Sequence, residues 1–310
     1  MKVLPEQDTR LMQHVKRLPS WLKRKPGSAS ETESLKKLLR NSSLNTVCEE
    51  ARCPNIAECF SRGTATFMIL GDICTRGCRF CSVITGRPAL PESAFLDEAK
   101  RVADAVVSLS LNYIVITSVA RDDLSDGGAS GFSATIREIK RAKPDVQIEV
   151  LIPDLRGNRV ALQKILDEEP CVLNHNLETV PRLYRRVRPG SSYKGSLELL
   201  KFASEYDNKI KVKTGIMLGL GEIESEIDQV LRDSYEHGVR IFTAGQYMQP
   251  TRNHLPVQRY LLPEEFNRVE VLARQIGFPV VFSGPLVRSS YHAGEVHSSL
   301  NEHLANSVNI

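Results

Sequence analysis

From residue 65 onward, apolar residues bunch into short, almost unbroken runs: TFMILG, YIVITSV, VQIEVLIP, CVLNHNL, KIKVKTGIML and VRIFTAGQYM, with FPVVFSGP as a late addition. Each run is short and rich in β-branched or aromatic residues, and turn formers flank it, which predicts a strand. Between the runs, apolar positions recur at three- and four-residue spacing in LDEAKRVADAVVSLS, FSATIREIKRAK, RVALQKILDEE, GSLELLKFASEY, IESEIDQVLRDSYEHG and PEEFNRVEVLARQIG. That spacing puts one apolar stripe on each helix. The chain therefore alternates β and α, with a period of about 30 residues.

Strands that are apolar on both faces belong to a parallel sheet covered by helices. Six β/α units favour an incomplete (β/α)6 barrel of the TIM type over a closed eight-fold one. An open doubly wound sheet has the same linear pattern, and periodicity does not separate the two. In either architecture the chemistry belongs at the carboxyl ends of the strands. The unusual segments GDICTRGCRFC, RDDLSDGG, NHNLET and GLGE each follow a strand. Residues 1–64 read as an N-terminal extension containing the short helical stretch SLKKLLRNS, 65–285 as the barrel, and 286–310 as a C-terminal segment.

Six of the seven cysteines lie between Cys48 and Cys81, as Cys48-x4-Cys53-x5-Cys59 and Cys74-x3-Cys78-x2-Cys81. Two sets of three imply two metal clusters, and three thiolates leave one metal position open for a substrate or cofactor. Zinc is the competing ion, but its usual sites sum to four ligands and often include histidine, and no histidine lies between His14 and His175. Disulfides are the other alternative; the crowded spacing favours reduced thiolates instead. Cys171, alone at the head of an apolar run, reads as a small core residue.

Composition adds bounds. Hydrophobic residues at 41% and charged residues at 25% are globular values, and no apolar stretch reaches the length of a membrane span. The amino terminus carries Glu6 and Asp8 and has no apolar core, so neither a secretory signal nor a transit peptide is expected, and a cytoplasmic enzyme is. A net charge of +4 falls short of a nucleic-acid binder. Arg10, Lys16, Arg17, Lys23, Arg24, Lys25, Lys36, Lys37 and Arg40 all precede the first cysteine, as a solvated arm or as a surface for an acidic partner.

The loop GDICTRGCRFC, with Phe80 just before its third cysteine, resembles the signature of radical S-adenosylmethionine enzymes. The resemblance implies that Cys74, Cys78 and Cys81 hold three irons of a 4Fe-4S cluster, that S-adenosylmethionine chelates the fourth, and that Phe80 packs near its adenine. Cleavage of the cofactor then yields a 5′-deoxyadenosyl radical able to take hydrogen from an unactivated C–H bond.

The longer stretch from LNTVCEEARCPNIAECF through CSVITGRP, together with GPLVRSSYHAGE near the end, is similar to the lipoyl synthases. That resemblance spans roughly residues 18 to 295. It implies that Cys48, Cys53 and Cys59 hold an auxiliary 4Fe-4S cluster whose fourth iron ligand is Ser289, with Ser290 the weaker candidate. It also implies that this cluster supplies sulfur at C6 and C8 of an octanoyl-lysine, consuming two S-adenosylmethionine per lipoyl group. The implied partners are octanoylated carrier domains, namely the E2 subunits of 2-oxoacid dehydrogenases and the glycine-cleavage H protein, with an electron donor such as flavodoxin or ferredoxin. Biotin synthase and the methylthiotransferases lack this pairing of upstream cysteines with a terminal Arg-Ser-Ser-Tyr. An iron-sulfur or zinc binding module would show no cofactor cleavage.

Further positions take their roles from the same resemblance. Thr117 and Ser118 are candidates for the methionyl amine of the cofactor, against ordinary strand-end capping. Asn176 and Glu178, two residues apart on a strand, share one face and so can both reach ribose hydroxyls, while His175 faces the other way and packs. From the residues themselves, a solvated helix face explains most of Arg182, Arg185, Arg186 and Arg188, and Arg188, just before Pro189-Gly190, is the candidate partner for a carboxylate. Gly219 and Gly221 permit close backbone approach to a ligand, a weak signal by itself. Ser125 and Ile223 stand where the family more often has proline and threonine.

Overall fold

The computed structural model describes residues 18–23, 44–46, 64–89, 91–290 and 293–294. Its main sheet contains β1 (Asn45–Thr46), β2 (Thr64–Ile69), β5 (Tyr113–Ser118), β6 (Gln147–Leu151), β7 (Val172–Asn174), β8 (Lys211–Leu218), β9 (Ile241–Gln246) and β10 (Val280–Gly284) in that spatial order. Two short strands, β3 (Ile73–Cys74) and β4 (Ile84–Thr85), pair separately. Every pairing from β2 to β10 is parallel, and β1 alone runs antiparallel, on the outer edge of β2.

Seven helical segments follow: α1 (Phe95–Ser108), α2 (Ala129–Ala142), α3 (Arg159–Leu166), α4 (Tyr184–Val187), α5 (Tyr193–Tyr206), α6 (Glu224–Glu236) and α7 (Pro263–Ile276). Four of them begin on local side-chain chemistry. Asn158 and Ser192 accept from the amides of Ala161 and Gly195 to start α3 and α5. Glu226 and Glu265 reach back to the amides of Ile223 and Leu262 ahead of α6 and α7. Gly277 ends α7 at φ 119°, where a side chain would be strained.

The strand order rises steadily along the chain, which decides between the two architectures left open above. A doubly wound sheet reverses its order at a switch point and carries helices on both faces. Here alternate strand residues such as Ile114, Ile116, Ile148, Val150, Leu173, Val212, Phe242 and Val281 join the helices in one large core. The opposite residues form two small apolar groups, Tyr113 with Val115 and Ala293, and Val172 with Ile241 and Val280. Helices therefore cover one face and the other turns inward, as in a barrel. Six β/α units run from β2 to α7, and FPVVFSGP forms a seventh parallel strand, β10. Among the described strands none pairs β10 with β1 or β2, so the barrel is open.

The chain beyond β10 runs along the inner face. Gly245 of β9 faces inward, and a Cβ there would lie 2.1 Å from the carbonyl oxygen of Val287. Ala293 packs on Tyr113 and Val115. The inner face also carries charge: Lys213 Nζ donates to both carboxylate oxygens of Glu149 at 2.9 and 3.1 Å, and neither side chain is more than 1% exposed. Tyr113 Oη and Asn174 Nδ2 donate to the same carboxylate at 2.9 and 3.0 Å. The strand alternation that made these runs look uniformly apolar hid Glu149 and Lys213. No described helix is long and apolar enough to cross a membrane.

Candidate functional site

The loop carrying Cys74, Cys78 and Cys81 leaves the carboxyl end of β2 and lies over the strand ends. It is built largely from backbone contacts. Thr75 donates its amide and its hydroxyl to the carbonyl of Ala120, and that hydroxyl accepts from the amide of Asp122 at 3.1 Å. Arg79 donates its amide to Val187, and its carbonyl accepts from Leu255. His254 Nε2 lies 2.8 Å from the carbonyl oxygen of Cys81.

One side chain within the motif ties three strand ends together. The guanidinium of Arg76, 10% exposed, donates Nε and Nη2 to Asp122, both at 2.7 Å, and Nη1 to Asp154 at 2.7 Å. Asp122 follows β5 and Asp154 follows β6. Burial alone would raise the Asp154 carboxyl, but the Arg76 hydrogen bond and charge hold it down at about 2. Sequence reading missed this clamp; the signal was an arginine inside the cysteine loop facing an acidic segment after the next strand.

The three thiols are half-buried neighbours. Cys74 Sγ accepts from the amides of Arg76 and Ala120 at 3.4 and 3.3 Å. Burial pushes the Cys78 thiol up and the Cys81 thiol to about 11, and repulsion from the other cysteines of the loop adds to both. Thiolates here need a cation beside them, which a bound metal supplies. Among the described residues no three His, Cys, Asp or Glu side chains converge on a single-ion site. Phe80 is half-buried against the main core beside them.

Asn176, Glu178 and Arg188 come together with Cys78, though not as extended-strand geometry would place them. β7 ends at Asn174, and Glu178 adopts φ 67°. That left-handed residue bridges to Ile216 of β8, its amide donating to Gly215 and its carbonyl accepting from Met217, both at 2.9 Å. The bend leaves the Asn176 amide hydrogen-bonded to the Glu178 carboxylate. Burial raises the Glu178 carboxyl, and the charge of Arg188 opposes that. Arg188 is buried, donates to the carbonyl of Asn176 at 2.6 Å, and lies 5.6 Å from the centroid of the Tyr184 ring. Arg185 and Arg186 are exposed, as a solvated face requires, but Arg182, although exposed, donates Nε and Nη2 to the two carboxylate oxygens of Glu226 at 2.7 and 2.9 Å, a carboxylate contact expected for Arg188 instead.

The remaining candidates separate. Thr117 Oγ1 donates to the carbonyl of Leu151 at 2.8 Å, a strand-to-strand contact. Ser118 Oγ and Asn176 Oδ1 are buried with no hydrogen-bond partner, two polar atoms that could accommodate a polar ligand. His175 is packed between the Ile152 carbonyl and Ser196 Oγ, each at 2.9 Å, and burial followed by the charge of Arg188 lowers it to about 4. The close approach at Gly219 is internal: a Cβ would meet Gln246 Nε2 at 2.3 Å and the Arg259 carbonyl oxygen at 2.5 Å. The glycine makes room for the chain itself, which accounts for it without a ligand. Cys171 donates to the carbonyl of Ile148 and packs beside Val172 and Tyr113. Ser289 and Ser290 are half-buried in a turn beyond β10. Cys48, Cys53, Cys59 and the stretch SLKKLLRNS lie outside the described residues.

Comparison with known proteins agrees with this geometry. Residues 68–234 match the radical SAM superfamily, and residues 4–53 match the N-terminal domain of lipoyl synthase. The lipoyl synthase of Rubrobacter xylanophilus is 54% identical over 89% of this chain and 85% of the relative. Those of Methylococcus capsulatus and Pseudoalteromonas translucida are 52% and 50% identical over 90% and 95% of this chain, and 86% and 90% of theirs. Among solved structures, the FeFe-hydrogenase maturase HydG from Carboxydothermus hydrogenoformans superposes with a TM-score of 0.55 at 17% identity, covering 87% of this chain and 68% of that one. Streptococcus suis SuiB bound to S-adenosylmethionine gives 0.54 at 13%, covering 82% and 60%. At such identities these two show a shared fold. Identity of half or more across nine-tenths of the chain shows more than a shared fold: the chain belongs to the lipoyl synthase family of the radical SAM superfamily.

Proposed function

We propose that this chain is a lipoyl synthase, a sulfurtransferase that replaces one C–H bond at C6 and one at C8 of a protein-bound octanoyl-lysine by C–S bonds. The observation that carries the reading is the three-cysteine loop at the barrel mouth, facing Asn176, Glu178 and Arg188, in a chain half identical to lipoyl synthases over nine-tenths of its length. In this reading Cys74, Cys78 and Cys81 hold one 4Fe-4S cluster, and Cys48, Cys53, Cys59 and Ser289 hold the auxiliary one. When bound, the clusters and S-adenosylmethionine supply a hydrogen-abstracting radical and the sulfur.

The chain's own residues orient and shield. Ser118 Oγ and Asn176 Oδ1, lacking partners in the protein, accept from or donate to the polar groups of S-adenosylmethionine according to each atom's capacity. Glu178 is the acceptor for ribose hydroxyls, and the charge of Arg188 opposes the rise that burial imposes on its carboxyl. Phe80 and Thr117 line the same cofactor space, Thr117 through its lone pairs since its proton is committed to Leu151. The partners are octanoylated E2 and H-protein carrier domains and a flavodoxin or ferredoxin, in the cytoplasm.

The test is anaerobic reconstitution followed by reaction with an octanoyl-lysine peptide. About eight irons per chain, 5′-deoxyadenosine formation that depends on the peptide, and a product heavier by two sulfur atoms are expected. A chain that binds only four irons and leaves the peptide mass unchanged refutes the proposal. In Ser289→Ala, hydrogen abstraction is expected to persist while sulfur insertion falls; undiminished lipoyl formation would remove Ser289 from the site.

A further inference from the structure

Between the end of β2 and the first cysteine of the loop, the chain turns through two consecutive left-handed residues, Leu70 at φ 69° and Gly71 at φ 88°. Glycine takes this conformation freely, but leucine is strained there and holds it only where its surroundings over-determine it. Every group of Leu70 is gripped. Its amide donates to Glu98 Oε2 at 2.8 Å, and the same carboxylate accepts from the amide of Gly71. Its carbonyl accepts from Arg121 Nη1 at 3.3 Å. Its two methyl groups sit where Gly128 and Gly131 lack side chains, since a Cβ at either would lie 2.3 Å from a Leu70 methyl carbon. Leu70 is fully buried, and Glu98 is buried beside it although it belongs to helix α1.

A buried carboxylate on a core-facing helix position is costly unless something uses its charge. What this one holds is the backbone of the turn that aims the next ten residues, Cys74 to Cys81 included. We infer that Glu98 is a positioning residue for the cysteine loop: its carboxylate locks the Leu70-Gly71 kink and thereby sets the direction in which Cys74, Cys78 and Cys81 are presented. The inference rests on reading those three cysteines as cluster ligands, and it concerns residues outside the loop that touch neither metal nor substrate.

Glu98→Gln keeps shape and helix propensity but turns one of two accepting oxygens into a donor facing an amide. The measurement is the rate at which each cysteine of the metal-free, anaerobic protein is alkylated by iodoacetamide, resolved by peptide mapping. Cys171 sits at the amino end of β7, remote from the kink in the strand direction, and serves as the internal reference. In Glu98→Gln, Cys74, Cys78 and Cys81 are expected to react on the order of tenfold faster while Cys171 is unchanged. Val106→Ala, a core truncation on the same helix α1, is the control for destabilisation alone, and any rise there should extend to Cys171. Should Glu98→Gln fail to fold, Gly131→Ala replaces it: the change favours the helix but pushes a Leu70 methyl by about 1 Å. Selective exposure of the three loop cysteines supports the inference; equal rates in variant and wild type, or a rise shared with Cys171, overturn it. Iron uptake by the wild-type chain, measured in parallel, reports on the cluster assignment separately, because the alkylation contrast needs no metal.

Discussion

The Lys213 and Glu149 pair gives a sharp stability test because its energetics run against intuition. Both side chains are sealed from solvent inside the barrel, with Nζ 2.9 and 3.1 Å from the two carboxylate oxygens. Lys213→Met keeps most of the volume and removes only the positive charge, leaving Glu149 with two neutral donors, Tyr113 Oη and Asn174 Nδ2. Breaking a buried pair from one side costs about 3–5 kcal/mol, and the two surviving hydrogen bonds place the cost near the lower figure. A loss of about 3 kcal/mol lowers the folding constant on the order of a hundredfold. Lys213→Met/Glu149→Gln removes both charges and retains an acceptor for Tyr113 and Asn174, so the double variant is expected to recover at least half of the loss. Urea unfolding of the metal-free protein followed by circular dichroism gives both differences from the midpoints, provided the slopes agree. A single variant within about 1 kcal/mol of wild type, or a double variant no better than the single, would refute the view that an unpaired buried charge is what costs.

Three further outcomes follow from other sites. His175 titrates near 4 when folded against 6.5 when free, so the unfolded chain binds the extra proton between those values. The His175 contribution is therefore constant above pH 6.5 and lowers stability by about 3 kcal/mol as pH drops to 4; His175→Gln should flatten that limb of a pH-dependent melting series. Asp154 is held at about 2 beside Arg76, so its contribution is full above 3.8 and disappears as pH falls through 2. Asp154→Asn should cost about 2 kcal/mol at neutral pH and little below pH 2, read by denaturant midpoints at the two values. Gly245→Ala would force a Cβ against the Val287 carbonyl oxygen, 2.1 Å away, and so displace the segment carrying Ser289. The expected result is lower iron uptake with the barrel still folded, and normal uptake would show that the segment gives way freely.

Much of the molecule was legible because its information is local. Strand runs, helical stripes and their alternation depend on which side chains share a face within a few residues, and the structure returns them nearly as read, from Thr64 to Gly284. The cysteine loop was legible for the same reason, its three thiols lying within eight residues. Arg188 was separable from its arginine neighbours because a following Pro189-Gly190 ends the helix face that the others share. Where the local rule was applied one step too far, it failed. Asn176 and Glu178 meet through a left-handed bend rather than along a strand, and the close approach seen at Gly219 is to Gln246 and Arg259.

The β/α rhythm, the place of the cysteine loop after the first barrel strand, and the family are written in the order of residues. Tertiary structure alone decided that the strands follow one another around an open barrel, that Arg76 clasps partners 46 and 78 residues away, and that Lys213 finds Glu149 across 64 residues. Glu98 belongs with these, reaching 28 residues back to the kink before the cysteines. The division has a physical cause. Periodicity records the burial of each position, which neighbouring residues share, whereas a buried charge is tolerable only through its particular partner, and the partner is chosen by how the sheet curls.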